Sequence, residues 1–118
     1  MKVIKVSQVP KEPSTNAKLF TGPVTSQVIL DTENIRIRQV NFSRGVRNKF
    51  HSHSSEQILI ITEGKGIVAT EKEEITVVPG DVIIFPAGEK HWHGATKDTT
   101  FSHLYVIGPG QQTTQLED

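Results

Sequence analysis

GVRNKFHSHSSEQILIITEG, residues 45–64, is the stretch on which the reading of this chain turns. His51 and His53 stand two apart, and Gln57 follows just ahead of the apolar run Ile58–Ile61. Side chains two apart on a strand share a face, so His51 and His53 point the same way. Gln57 joins them if the strand continues without a bulge, and Glu56 then faces the opposite way. Imidazole nitrogen suits several first-row divalent ions, and an amide oxygen adds a neutral, harder donor. With His91 from a later segment, these residues make a donor set for a metal ion with room left for a substrate.

Outward from this stretch, apolar residues come in short β-branched runs. Val3–Val6 and Gln27–Leu30 precede it, with Ile35–Phe42; Gly66–Thr70, Ile75–Val78, Val82–Phe85 and Phe101–Ile107 follow. Their length and Val/Ile/Thr content predict strands, and no window sustains a helical period over three turns. Turn signals fall at Glu63-Gly64, Pro79-Gly80 and Pro86-Ala87-Gly88. Many short strands at close spacing predict an all-β antiparallel sandwich or barrel. A sheet that closes on itself is what brings His91 and His103 to the interior reached by His51 and His53. One domain is expected: an N-terminal strand and arm over 1–18, a barrel over 19–107, and a mobile polar tail over 108–118.

The 118 residues carry 13 Lys plus Arg and 13 Asp plus Glu, so the formal net charge is zero. That balance points away from nucleic acid or a membrane surface as the main partner. The basic run Arg36, Arg38, Arg44, Arg47 and Lys49 lacks interleaved aromatics and reads as a solvated face. There is no cysteine, which excludes disulfides and thiolate ligands. No segment has the length of a membrane span or the pattern of a signal peptide, so a cytoplasmic protein is expected. Of the five histidines, His93 reads as a hydrogen-bonding residue beside Trp92 rather than as a ligand.

Gly45-x5-His51-x-His53-x3-Gln57-x6-Gly64 resembles the first cupin motif, and Gly80-x5-Pro86-x-Gly88-x2-His91 resembles the second. Two motifs in register, with each glycine and proline in place, identify the chain as a cupin, which implies a jelly-roll barrel, the double-stranded β-helix. Two departures stand out. Gln57 occupies the place where most metal-binding cupins have glutamate, and Ala95 the place where the second motif often has asparagine. Three neutral imidazoles and a neutral amide leave a divalent ion with its full charge. It is then a stronger Lewis acid that favours anionic ligands.

Gln57-Ile-Leu-Ile-Ile-Thr-Glu-Gly64, His91-Trp-His-Gly-Ala-Thr96 and Phe101-Ser-His-Leu104 resemble a subgroup of small bacterial cupins. The subgroup includes manganese-dependent hydroxynitrile lyases and proteins related to carboxymuconolactone decarboxylases. This resemblance implies His51, His53, Gln57 and His91 as ligands, His103 as a base, and manganese as the ion, with iron, nickel, cobalt or zinc as alternatives. The implied activity is that of a lyase on a small oxygenated molecule, served by an imidazole with a pKa near neutrality. A metal-dependent dioxygenase and a non-catalytic ligand-binding barrel are the rival readings. By alternation Arg36, Arg38, Val40 and Phe42 share a face. If that face is interior, Arg38 and Val40 line the substrate site and Arg38 pairs with a substrate carboxylate. Sheet edges that need covering, with Val3–Val6 free to pair across subunits, predict a homodimer.

Overall fold

The β-branched runs fold as eleven strands in two antiparallel sheets, seen in a computed structural model that describes residues 1–118. In chain order the strands are β1 (Glu12–Pro13), β2 (Val24–Asp31), β3 (Arg36–Phe42) and β4 (His51–His53). Next come β5 (Gln57–Gly64), β6 (Gly66–Thr70), β7 (Glu74–Val77) and β8 (Val82–Phe85). β9 (His91–Ala95), β10 (Phe101–Ile107) and β11 (Thr113–Gln115) complete the set. One sheet has the order β1-β2-β3-β10-β5-β8, the other β11-β4-β9-β6-β7. No helix is long and apolar enough to cross a membrane.

The core lies between the sheets. Val40 and Phe42 on β3, Leu59 and Ile61 on β5, Val68 on β6, Phe85 on β8 and Phe101 on β10 all belong to it. The spacing of two between Val40 and Phe42 and between Leu59 and Ile61 is the signature of a one-sided buried face. Leu59 and Phe101 are fully buried, and burial of such side chains stabilises a fold by roughly 1.5–3 kcal/mol each. The alternate residues of the six-stranded sheet build a polar ladder on its outer face. Ser102 donates to Asn41, Asn41 donates to Gln27 and Thr25, and Gln39 donates to Thr62. Gln27 in turn donates to the carbonyls of Val6 and Val9 at 2.8 and 2.9 Å, which docks the N-terminal segment over that face.

Two glycines are fixed by geometry. Gly64 has φ +72° at the β5–β6 turn, and a Cβ there would run into the Thr100 carbonyl. Gly94 lies under the backbone of Arg47, which leaves no space for a side chain.

Three expectations need correction. Val3–Val6 is not a strand: residues 1–5 run free of any sheet and Val6–Gln8 forms a 3-10 turn. A β-branched run needs a neighbour for its backbone groups, and Gln27 instead holds this segment by its carbonyls. The subunit pairing expected from that run therefore loses its strand. The polar tail is not all irregular either, because Thr113–Gln115 pairs with His51–His53. Finally, β4 ends at His53; the chain turns through Ser54–Glu56, and Gln57 opens β5 in the facing sheet. Gln57 thus shares the interior because a turn carries it across, not because one strand continues. Within the basic run, Arg36 and Arg38 approach Asp31 and Arg47 pairs with Glu117 at 3.0 Å while lying over the Trp92 ring.

Candidate metal centre

His51 and His91 are directly opposed across β4 and β9, with ring centroids 4.3 Å apart. The His53 ring is 4.9 Å from that of His51 and 5.3 Å from that of His91. Gln57 reaches in from the facing sheet, beside His53. All four are buried. Behind them Phe85 stacks on His91 at 3.8 Å and 15°, which fixes the plane of that ring.

Outer hydrogen bonds decide which nitrogen faces inward. His51 Nδ1 donates to the Lys49 carbonyl at 2.6 Å, and His91 Nδ1 donates to the Glu89 carbonyl at 2.8 Å. A carbonyl only accepts, so each Nδ1 carries the hydrogen and each Nε2 the lone pair. His53 Nδ1 lies 2.9 Å from Thr113 Oγ1 and 3.2 Å from the carboxamide oxygen of Gln111. The same logic leaves its lone pair on Nε2. Inside, Nε2 of His53, Nε2 of His91 and Oε1 of Gln57 are buried without a hydrogen-bond partner. An unpartnered buried acceptor costs about 1–3 kcal/mol, and a cluster of acceptors is satisfied by a cation. Rings oriented by carbonyls at Nδ1, with free lone pairs converging, fit a divalent ion.

Electrostatics favour the same state. Burial, reinforced by the neighbouring His91, holds His51 down at about 3, and burial holds His91 at about 4. Burial also lowers His53. Neutral imidazole is the ligating form, so these groups are ready for a metal throughout the neutral range.

Ring nitrogens of His51, His91 and His93 all lie within 4.8 Å of one another, so three buried histidines here could bind a metal. His93 differs from the other two in its partner. Asn48 Oδ1 accepts from the His93 backbone N–H at 2.8 Å, which makes Asn48 Nδ2 the donor to His93 Nε2 at 3.2 Å. The hydrogen of neutral His93 is then on Nδ1. That nitrogen is buried without a partner and is a donor rather than a ligand in this tautomer.

His103 is fully buried on β10, at the point where the β10–β5 register shifts between Ser102 and His103. Such irregularities re-aim side chains. Its Nδ1 donates to the Leu104 carbonyl at 3.2 Å, and its Nε2 is buried without a partner. The ring lies 4.8 Å from His93 and 5.7 Å from Phe42. Burial holds His103 at about 4, not near neutrality as expected for a base; the aromatic wall around it desolvates the imidazolium.

These groups border a cavity of about 160 Å³ lined by His51, His53, Gln57, His93 and His103, with Arg38, Val40 and Tyr105 on the same walls. A cavity of about 150 Å³ holds a benzene-sized molecule. The face carrying Arg38 and Val40 is therefore interior. Arg36 does not border the cavity; it turns to Asp31 at 3.4 Å. Three contributors escaped the sequence reading: Asn48, Gln111 and Thr113. Asn48 sits unmarked between Gly45 and His51, and Gln111 and Thr113 belong to the stretch read as a tail. The Thr113-Thr114 pair, being β-branched, was the one local signal of a strand there.

Residues 39–108 match the cupin domain family. This chain is a cupin. It is 37% identical over 94 residues to an (R)-mandelonitrile lyase of Granulicella tundricola, covering 76% of this chain and 72% of that one. Among solved structures, a cupin-like protein of Thermotoga maritima superposes with a TM-score of 0.82 at 26% identity, over 100% of this cupin and 90% of that chain. A polyketide cyclase of Streptomyces resistomycificus superposes with a TM-score of 0.89 at 18% identity, over 100% and 87%, a likeness of fold alone. The jelly-roll expectation from the two motifs is thus met, and Ala95 contributes to the buried core.

Proposed function

We propose that this cupin binds a divalent ion, manganese foremost, through His51, His53, Gln57 and His91, and acts as a lyase on a small oxygenated molecule. The observation that carries the reading is the set of imidazoles oriented through Nδ1, with the Nε2 lone pairs of His53 and His91 and the Gln57 oxygen left without partners. A bound divalent ion supplies a Lewis acid that acidifies a coordinated hydroxyl. The relative named as an (R)-mandelonitrile lyase supports a cyanohydrin-type reaction.

His103 Nε2 is the acceptor for the substrate hydroxyl proton. Its lone pair faces the cavity because Nδ1–H is engaged by the Leu104 carbonyl. At about 4 its basicity is modest, so it takes a proton only from a hydroxyl that is itself acidified. Loss of that proton creates the carbonyl as the adjacent carbon–carbon bond breaks and cyanide departs. His93 Nδ1–H, held by Asn48, offers a fixed donor to negative charge in the cavity. Phe42 and Val40 line the same walls and limit water.

The test is elemental analysis of the purified protein together with cyanohydrin cleavage after manganese reconstitution, in the parent and in His103→Ala. Cleavage that needs the ion and falls about 10²–10⁴-fold in His103→Ala supports the reading. A protein that takes up no metal, or a His103→Ala variant as active as the parent, overturns it.

A further inference from the structure

We infer that the molecule accepted by this cavity is a small carboxylate, held by Arg38. The inference rests on the proposed lyase reading for the site but concerns substrate class, on which a neutral cyanohydrin and an acid differ.

The first observation is the sign of the walls. No aspartate or glutamate lines the cavity, and Arg38 is its one permanently charged residue. None of the candidate ligands is a carboxylate, so no group on the walls cancels a cation placed among them. An enclosed space with cationic character and no compensating carboxylate selects anions.

The second is the state of Arg38. Its Nε is buried without a hydrogen-bond partner. Its guanidinium reaches Asp31 with a single nitrogen, at 3.7 Å, while that same carboxylate lies nearer Arg36 at 3.4 Å. Asp31 is the more exposed partner and does not line the cavity. Arg38 thus keeps a buried Nε–H unused beside the cavity, with Tyr105 as its hydrogen-bonding neighbour there, and a guanidinium with a free donor suits a carboxylate.

The third is placement. Tyr105 is the cross-strand partner of Arg38, as His103 is of Val40. Arg38 and Tyr105 therefore form one layer and Val40 and His103 the next, about 7 Å along the strands. Gln57, opposite Ile107 on β10, stands one layer beyond Arg38 and Tyr105, so a carboxylate at Arg38 lies between the levels of Gln57 and His103. With about 160 Å³ available, hydroxy or oxo acids of a few carbons, or a single aromatic ring, fit that span. Tyr105 stands beside Arg38 on the same wall and offers a hydroxyl to the second carboxylate oxygen.

Calorimetric titration tests this without turnover. γ-Hydroxybutyrate and mandelate, each against its primary amide, are titrated into manganese-loaded and metal-free protein, in the parent, Arg38→Ala and Arg38→Lys. At least one acid should bind the parent about tenfold or more tighter than its amide, the effect of one charge-assisted hydrogen bond. Arg38→Ala should abolish that preference and leave amide affinity within about twofold, while Arg38→Lys retains part of it. Equal binding of acid and amide by the parent overturns the inference. So does a preference unchanged in Arg38→Ala, which would place the carboxylate on the metal instead. Failure of the lyase reading shows separately, as absent metal uptake or absent cleavage, while the Arg38-dependent preference in metal-free protein still reads the anion site.

Discussion

Lowering the pH of the metal-free protein from 7 to 5 perturbs the buried imidazoles most directly. In the unfolded chain a histidine titrates near 6.5. In the fold, burial holds His51 at about 3 and His91 and His103 at about 4. Between these limits the unfolded state binds more protons, so stability falls as the pH falls through 6.5 and the loss levels off below the folded values. At pH 5 each of the three costs about 2 kcal/mol, and together about 6 kcal/mol. That is comparable with the whole stability of a small domain, about 5–15 kcal/mol. Urea unfolding followed by Trp92 fluorescence at pH 7, 6 and 5 in chelator should show midpoints dropping steeply, about 4 kcal/mol per pH unit between 6 and 5. His103→Gln should remove one imidazole's share, about 1 kcal/mol per pH unit, while His53 and His93, also lowered by burial, add to what remains. A midpoint unchanged between pH 7 and 5, or uptake of less than one proton on unfolding at pH 5, refutes the reasoning.

Other consequences are narrower. Removal of residues 111–118 takes away the Gln111 and Thr113 partners of His53 Nδ1 and the β11 pairing of β4; manganese affinity measured by chelator competition should fall about 10–100-fold, and an unchanged affinity would show that the strap is irrelevant. Gly64→Ala forces a side chain into φ +72° and onto the Thr100 carbonyl, so thermal unfolding should show a loss of more than about 1 kcal/mol, against nearly none for Gly80→Ala if space rather than φ were decisive. Gln27→Ala removes both anchors of the N-terminal turn. Hydrogen exchange over residues 6–10 should speed up while β5 and β10 stay protected, and uniform protection would deny that docking role.

The fold was legible where one face of a strand is buried. Ile58–Ile61 and Phe101–Ile107 announce themselves because alternate side chains fill the core. Elements specified by hydrogen bonds rather than by apolar pattern were not. β11 carries no buried residue, and β9 opens on His91 and Trp92 among turn-like neighbours, so neither shows a hydrophobic period. Val3–Val6 misled for the converse reason: it has the composition of a strand without a partner edge. In the site, motif spacing pointed to His51, His53, Gln57 and His91 because glycines and prolines lock their positions. The orienting groups Lys49 and Glu89 act through backbone carbonyls, which any residue supplies. Asn48 and Thr113 act across more than 40 residues of sequence, where no local signal reaches. The inward face of Arg38 depended on sheet closure, which strand parity alone does not decide.

The placement of the donors on both sheets bears on how the chain resists unravelling. His51, His53 and His91 belong to one sheet and Gln57 to the other, and the chain has no cysteine. An ion shared among them would act as a reversible cross-link, tying the loop between Gln57 and His91 and clasping the two layers at one end. By the loop-closure relation used for covalent bridges, a tie of that span restricts the unfolded ensemble by on the order of 3–4 kcal/mol. The ion would then serve as the staple that a secreted domain of this size obtains from disulfides, set by metal supply rather than by redox poise.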